Sequence, residues 1–275
     1  MANIQLTYAF RRAMLRPPNN YRRFLYKFHP ASNYDHLYSI IVHSEFWLAS
    51  VADFDDPFDG KATFYWGGTL QQKRKVVKRM LENAPQLTKR SIEHEITKLM
   101  LDPTLEERIN TSYKNVINNY GVISFAENRR SNAMWSHYAR KHEGICFQYN
   151  IFKDFDTFRQ ALPVLYDDSY PRINYCDENI KEYLRGISTK HSSWQYESER
   201  RICLTYKKHT YMPFIAGALE SIIYGYKVKP ETIKMVQSLL QKRDRLKMPL
   251  IKQYYANISN TAYKVSIHSE RQFIG

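Results

Sequence analysis

Gly144-Ile145-Cys146-Phe147-Gln148-Tyr149-Asn150 sets Ile145, Phe147 and Tyr149 against Cys146 and Gln148. Strict alternation of this kind puts successive side chains on opposite faces and reads as a β-strand. The residues before it, from Asn132, read as a short helix, with Gly144 suited to a left-handed C-cap. Working outward, strands are expected at Phe24–Phe28, Phe46–Ser50, Gly121–Ala126, Pro163–Tyr166, Arg201–Tyr206 and Ser221–Tyr224. Two more are expected near Leu250–Tyr255 and Ala262–Ile267. Helical patterns cover Tyr34–His43 and Pro230–Arg245, the second opening on a proline that fits a first helical position. Strands scattered along the chain with helices between them predict an α+β fold with a mixed, mostly antiparallel sheet.

Residues 71–120 break the strand pattern. Val76, Val77, Met80 and Leu81 form one apolar helical stripe, and Ile92, Ile96, Leu99 and Met100 form a second. A third helix is expected to start with Asp102 as N-cap and Pro103 at its first position, with the stripe Leu105, Ile109, Tyr113, Val116 and Ile117. The chain therefore reads as a single domain over 1–275, with 71–120 a helical insertion and 1–20 a basic arm ending in Pro17-Pro18-Asn19-Asn20.

Forty-one Lys and Arg face 27 Asp and Glu across 275 residues, a net charge of +14. Such a surface attracts polyanions, nucleic acid first among them. The bunched candidates are Arg11 and Arg12, Lys73, Arg74, Lys78 and Arg79, and Lys242 and Arg243. The plain alternative is a generally basic surface that aids solubility. Apolar runs fall short of a membrane span, and residues 1–10 lack the pattern of a secretory signal. Cys146, Cys176 and Cys203 are odd in number and widely spaced, which suits a reducing, cytoplasmic compartment and not a zinc site.

Two constellations carry candidate chemistry. In Trp194-Gln195-Tyr196-Glu197-Ser198-Glu199-Arg200-Arg201, a strand would put Glu197, Glu199 and Arg201 on one face and Trp194 and Tyr196 on the other. Charges grouped there are costly unless paired or solvated. In a cleft, Arg201 would hold one carboxylate while the other acts as base or electrostatic stabiliser. An edge strand with a solvated ion pair accounts for the pattern equally well. The second constellation gathers Trp135, His137, Tyr138 and His142 within eight residues. Five-residue spacing of the two histidines is poor for metal ligands on one helix face, and Asp53–Gly60 lacks the closing Glu of a calcium loop, so no metal is expected. No Walker-type loop or nucleophile elbow is present.

Four landmarks, in order, resemble the bacterial family called domain of unknown function twenty-nine seventy-one. They are Leu25-Tyr26-Lys27-Phe28; Phe46-Trp47-Leu48-Ala49-Ser50 with Asp55-Asp56-Pro57-Phe58-Asp59; Met134-Trp135-Ser136-His137-Tyr138-Ala139 with His142-Glu143-Gly144-Ile145-Cys146; and Trp194 through Arg201. The resemblance implies a bacterial cytoplasmic protein. A looser likeness is to ADP-ribosyltransferases, in the order of first strand, helix, short strand and a late strand bearing Glu-x-Glu. That likeness implies NAD bound in a split sheet, with Glu199 or Glu197 at the nicotinamide ribose. Lys27 stands where those enzymes carry His or Arg on the first strand. On this reading Glu199, Glu197 and His137 are catalytic, and Lys27, Arg201, Tyr138 and Trp135 hold the dinucleotide. The competing expectation is a nucleic-acid-binding module without chemistry. A nuclease is a third, lacking a metal-binding carboxylate pattern.

Overall fold

The computed structural model describes residues 23–82, 89–177 and 180–270. Its strands, in chain order, are β1 (Phe24–His29), β2 (Glu45–Ser50), β3 (Thr63–Tyr65), β4 (Gly121–Ala126), β5 (Ile145–Asn150), β6 (Leu162–Pro163) and β7 (Leu165–Tyr166). They continue as β8 (Arg172–Asn174), β9 (Thr189–Lys190), β10 (Glu199–Leu204), β11 (Thr210–Pro213), β12 (Leu219–Tyr224), β13 (Lys252–Ile258) and β14 (Val265–His268). The helices are α1 (Tyr34–Tyr38), α2 (Leu70–Glu82), α3 (Lys89–Met100), α4 (Leu105–Ile117), α5 (Asn132–Tyr138), α6 (Phe155–Phe158), α7 (Ile180–Ile187) and α8 (Pro230–Arg245). The class is α+β, as the strand spacing predicts.

The chain divides into two compact units. One takes 51–119 and 165–191, so the helices of the 71–120 block share it with the short parallel pairs β3–β8 and β7–β9. Its core includes Val76, Val77, Ile96, Ile109, Tyr113 and Ile117, members of the predicted stripes. The third helix begins later than its sequence suggests. Asp102 Oδ1 accepts from the backbone N–H of Thr104, which closes a turn around Pro103, and the helix proper starts at Leu105.

The other unit takes the described residues of 23–50, 120–164 and 192–270. It holds a sheet with the path β11-β2-β4-β1-β5-β12-β13-β14, and β10 lies against β4 and β6. Every pairing in it is antiparallel except β12 with β13. Alternation builds a core on each face. Leu25, Phe147 and Ile222 point to one side, where Val236 and Leu239 of α8 join them. Tyr26, Cys146 and Ile223 point to the other, where Met134 and Trp135 of α5 pack. Each such buried side chain stabilises the fold by roughly 1.5–3 kcal/mol.

The sheet is split at β4. Ala126 pairs with Glu199 and with Tyr26, and Val122 pairs with Cys203 and with Ala49. A strand has two edges, so β10 occupies one of them and β1 and β2 share the other. β1 meets β4 only at Tyr26–Ala126, and β2 only at Ala49–Val122 and Ser50–Gly121. Ile123, Ser124 and Phe125 fall between those two registers. Helix α1, continued by a π-type turn over Ser39–His43, carries the chain from β1 to β2.

Candidate functional site

The stretch read as one long strand is two structures. Ser192–Glu197 forms a 3-10 helix, and β10 begins at Glu199. Ser198 between them has φ +45°, a left-handed conformation that no strand residue adopts. Glu197 therefore does not share a strand face with Glu199 and Arg201. The site nevertheless draws all three together with α5. The Tyr138 hydroxyl donates to Oε1 of Glu197 at 2.5 Å. Arg201 donates to Glu199 from Nε at 2.6 Å and from Nη2 at 2.9 Å. Glu197, Glu199 and Arg201 are all buried. Arg201 thus holds Glu199, and Glu197 accepts from the Tyr138 phenol. Burial and the bond to Glu197 together push the Tyr138 hydroxyl well above its ordinary pKa.

Lys27 sits at the split. Its Nζ donates at 3.3 Å to the carbonyl of Ser124, the β4 residue between the two registers. The ammonium therefore lies where a continuous ladder would have put another strand. Desolvation lowers its pKa to about 8, against the opposing pull of the Glu199 charge. His29, on the same strand, is buried and held neutral, its pKa lowered to about 3 by burial and then by Lys27 and His36.

Other expected residues fall elsewhere. Trp135 is fully buried, donates from Nε1 to the Arg129 carbonyl at 2.9 Å and packs edge-on to Phe28 at 5.1 Å. It is a core residue and does not stack on a ligand. His137 is exposed, with its ring 5.9 Å from that of Tyr196. Beyond α5, Arg140, Lys141 and His142 are successively left-handed, at φ 48°, 56° and 70°. These residues, not Gly144, take the positive φ. Gly144 serves instead in a close approach, since a Cβ there would stand 2.2 Å from the His29 carbonyl oxygen.

Of the basic candidates, Arg11 and Arg12 lie outside the described residues. Arg74, Lys78 and Arg79 are exposed on α2, and Arg74 pairs with Glu93. Lys73 is half-buried, with its ammonium 5.9 Å from the Trp66 ring. Lys242 is exposed over the rings of Tyr34 and Tyr38. Arg243 corrects the reading: it is buried, and its guanidinium donates to the carbonyls of Ile41, Ala216 and Pro249. A guanidinium buried against three helix-end and loop carbonyls is not presented at the surface for a phosphate. Among the described residues no group of three or more His, Cys, Asp or Glu side chains gathers as metal ligands would, and no helix is long and apolar enough to cross a membrane.

Residues 134–202 match the model of a family described as Protein of unknown function (DUF2971). The DUF2971 match opens in α5 and closes in β10, so it contains Tyr138, Glu197, Glu199 and Arg201 and excludes Lys27. Two of the four sequence landmarks, at 25–28 and 46–59, lie outside it. No curated protein and no solved structure matches the chain.

Two side-chain contacts were not legible in the sequence. Arg200 donates from Nε to Glu127 Oε1 at 2.5 Å, tying β10 to the segment that follows β4. Trp47 stacks with both His36 and His209, ring centroids 5.8 and 5.9 Å away. These partners are 11 and 162 residues distant, beyond the reach of any local pattern.

Proposed function

We propose that this chain is an NAD-dependent ADP-ribosyltransferase-like enzyme, acting at the split in the sheet on a macromolecule. The observation that carries the reading is Lys27: a cation in a gap between strands, within electrostatic reach of Glu199. Breaking the bond to nicotinamide develops positive charge on the ribose, and a carboxylate at that point stabilises the transition state. The stabilising carboxylate in this reading is Glu197, which accepts from the Tyr138 hydroxyl on α5, while Glu199 is tied to Arg201. Glu199 and Arg201 then act as a positioning pair. The pyrophosphate falls to Lys27, because Arg201 is engaged with Glu199, and ring stacking passes from the buried Trp135 to Tyr138. Tyr138 and Tyr196, both half-buried, offer ring faces, and His137 would take the acceptor's proton. Three free cysteines are consistent with a cytoplasmic location.

The test incubates the purified protein with labelled NAD and with total cell protein and nucleic acid. Nicotinamide release and label transfer are expected, both reduced about 100-fold or more in Glu197→Gln. Neither signal from folded protein, or equal signals from the variant, would overturn the assignment.

A second reading, a nucleic-acid-binding module, is favoured by the exposed row Lys75, Lys78 and Arg79 on α2. Its test is affinity for mixed-sequence DNA and RNA across a salt series, where phosphate contacts make binding fall steeply with salt.

A further inference from the structure

The β2–β11 ribbon has two unlike faces. Phe46 and Leu48 of β2 are buried in the core and Met212 of β11 packs against it. The opposite face pairs Trp47 with Tyr211 directly across the ladder, their rings 5.1 Å apart and inclined at 65°. Trp47 also stacks with His36 from α1 and with His209, whose ring is tilted only 9° from it. Tyr211 is 41% exposed and His209 is exposed as well. A solvent-facing sheet position is ordinarily filled by Thr, Lys or Glu, and a row of flat rings there leaves apolar surface in water.

The turn beside the rings is basic and stiff. Lys207 and Lys208 are exposed, and Tyr206, 54% exposed, precedes them. Tyr206 and His209 both take φ 56°, a conformation that costs a residue with a side chain free energy. The turn is held in it from two sides. The N–H of His209 donates to the Leu48 carbonyl at 2.7 Å, and the Lys207 carbonyl lies so close to Gly121 that a Cβ there would stand 2.3 Å away. Strained backbone that presents two cations next to exposed rings indicates a surface built for a ligand. The acidic residues of α1 and β2 are Asp35 and Glu45, and Glu45 pairs with Pro213, at the end of β11 remote from Lys207 and Lys208.

We propose that this face binds single-stranded nucleic acid, with bases stacking on Tyr211, His209 and the edge of Trp47 and with phosphates on Lys207 and Lys208. Flat rings beside fixed cations match unpaired bases joined by a charged backbone. A duplex keeps its bases stacked on one another and offers no free ring face. The proposal rests on the nucleic-acid reading above and moves the contact from α2 to the ribbon. It does not require the transfer reaction.

The experiment measures fluorescence anisotropy of labelled mixed-sequence 20-nucleotide RNA and DNA, single-stranded and duplex, with the full chain at low and moderate salt. Tyr211→Ala and His209→Ala lie at exposed positions, and thermal melting checks that they fold. The expected result is tighter binding of single strands than of duplex, about tenfold weaker binding in each ring variant, and a salt slope reduced by about one to two in Lys207→Gln/Lys208→Gln. Wild-type affinity in the ring variants, with binding lost in Lys75→Glu/Lys78→Glu, would overturn the platform and leave the nucleic-acid reading standing. Equal affinity for duplex and single strand would also overturn it. No binding of any of the four probes would remove both.

Discussion

Arg201 closes on Glu199 through two parallel hydrogen bonds, and both side chains are buried within β10. The fork geometry of guanidinium on carboxylate gives the pair its orientation. Removing one partner strands a charge in low dielectric. Arg201→Met is therefore expected to destabilise the protein by roughly 3–5 kcal/mol, whereas Glu199→Leu/Arg201→Met together should be far milder than the sum of the single changes. Urea unfolding of the four proteins in a double-mutant cycle reads this directly. Additive single changes would show that the pair is not coupled.

Lys27 supplies a pH-dependent term. Its pKa is lowered to about 8 in the folded chain from an ordinary 10.5. The unfolded chain thus binds the proton more tightly, and stability tied to this group rises as pH climbs from about 8 towards 10.5. Below pH 8 the burial penalty is fully present and amounts to roughly 3 kcal/mol. Lys27→Met should accordingly stabilise the fold at pH 7 by something under that figure, since the bond to Ser124 is lost. Its advantage over the wild type should shrink by pH 10. Denaturant midpoints of both proteins at the two pH values decide the point, because other titrating groups cancel in the difference.

Tyr138→Phe removes the donor to Glu197 without changing the ring. Hydrogen bonds to charged acceptors contribute roughly 1.5–3 kcal/mol, and partial exposure of Tyr138 brings the expected loss to about 1 kcal/mol. Thermal melts of the variant and the wild type read the loss, and an unchanged melt would show that this bond does not stabilise the fold.

Gly144→Ala addresses the contact between the loop after α5 and β1. The added methyl would meet the His29 carbonyl at 2.2 Å, and that oxygen belongs to backbone that cannot swing aside. Displacing it is expected to cost about 3 kcal/mol. A melt unchanged from wild type would mean that the loop shifts freely.

Much of this architecture is visible in the sequence, and the gaps have physical causes. The bounds of α8 are legible because a proline opens it and an apolar stripe runs through it to Arg245. β5 is legible because two cores, one on each face, enforce its alternation. Trp194–Ser198 misleads because polar and aromatic residues alternate there as in a strand, while the backbone coils and reverses sign at Ser198. The two chemical constellations are each readable alone. Their meeting at Tyr138 and Glu197 depends on the N–H of Glu127 donating to the Ser198 carbonyl, a contact across 71 residues. Arg243 looks like one more surface cation because its neighbours Lys242 and Arg245 are exposed, and only its position on the inner side of α8 reveals otherwise.

The placement of β1 matters while the chain is still being made. It is the first described strand to be synthesised, yet its full ladder partner is β5, in the register Phe24–Asn150 through His29–Ile145. Its other neighbour, β4, is also absent until about residue 126 has been added. At ribosomal speeds of about 5–20 residues per second, β1 emerges on the order of ten seconds before its ladder partners exist to pair with it. During that interval the nascent chain carries an unpaired apolar strand, the kind of segment that chaperones shield and that is prone to aggregate. Pausing the ribosome between the codons for β2 and β4 would prolong that exposure, and pausing after β5 would not.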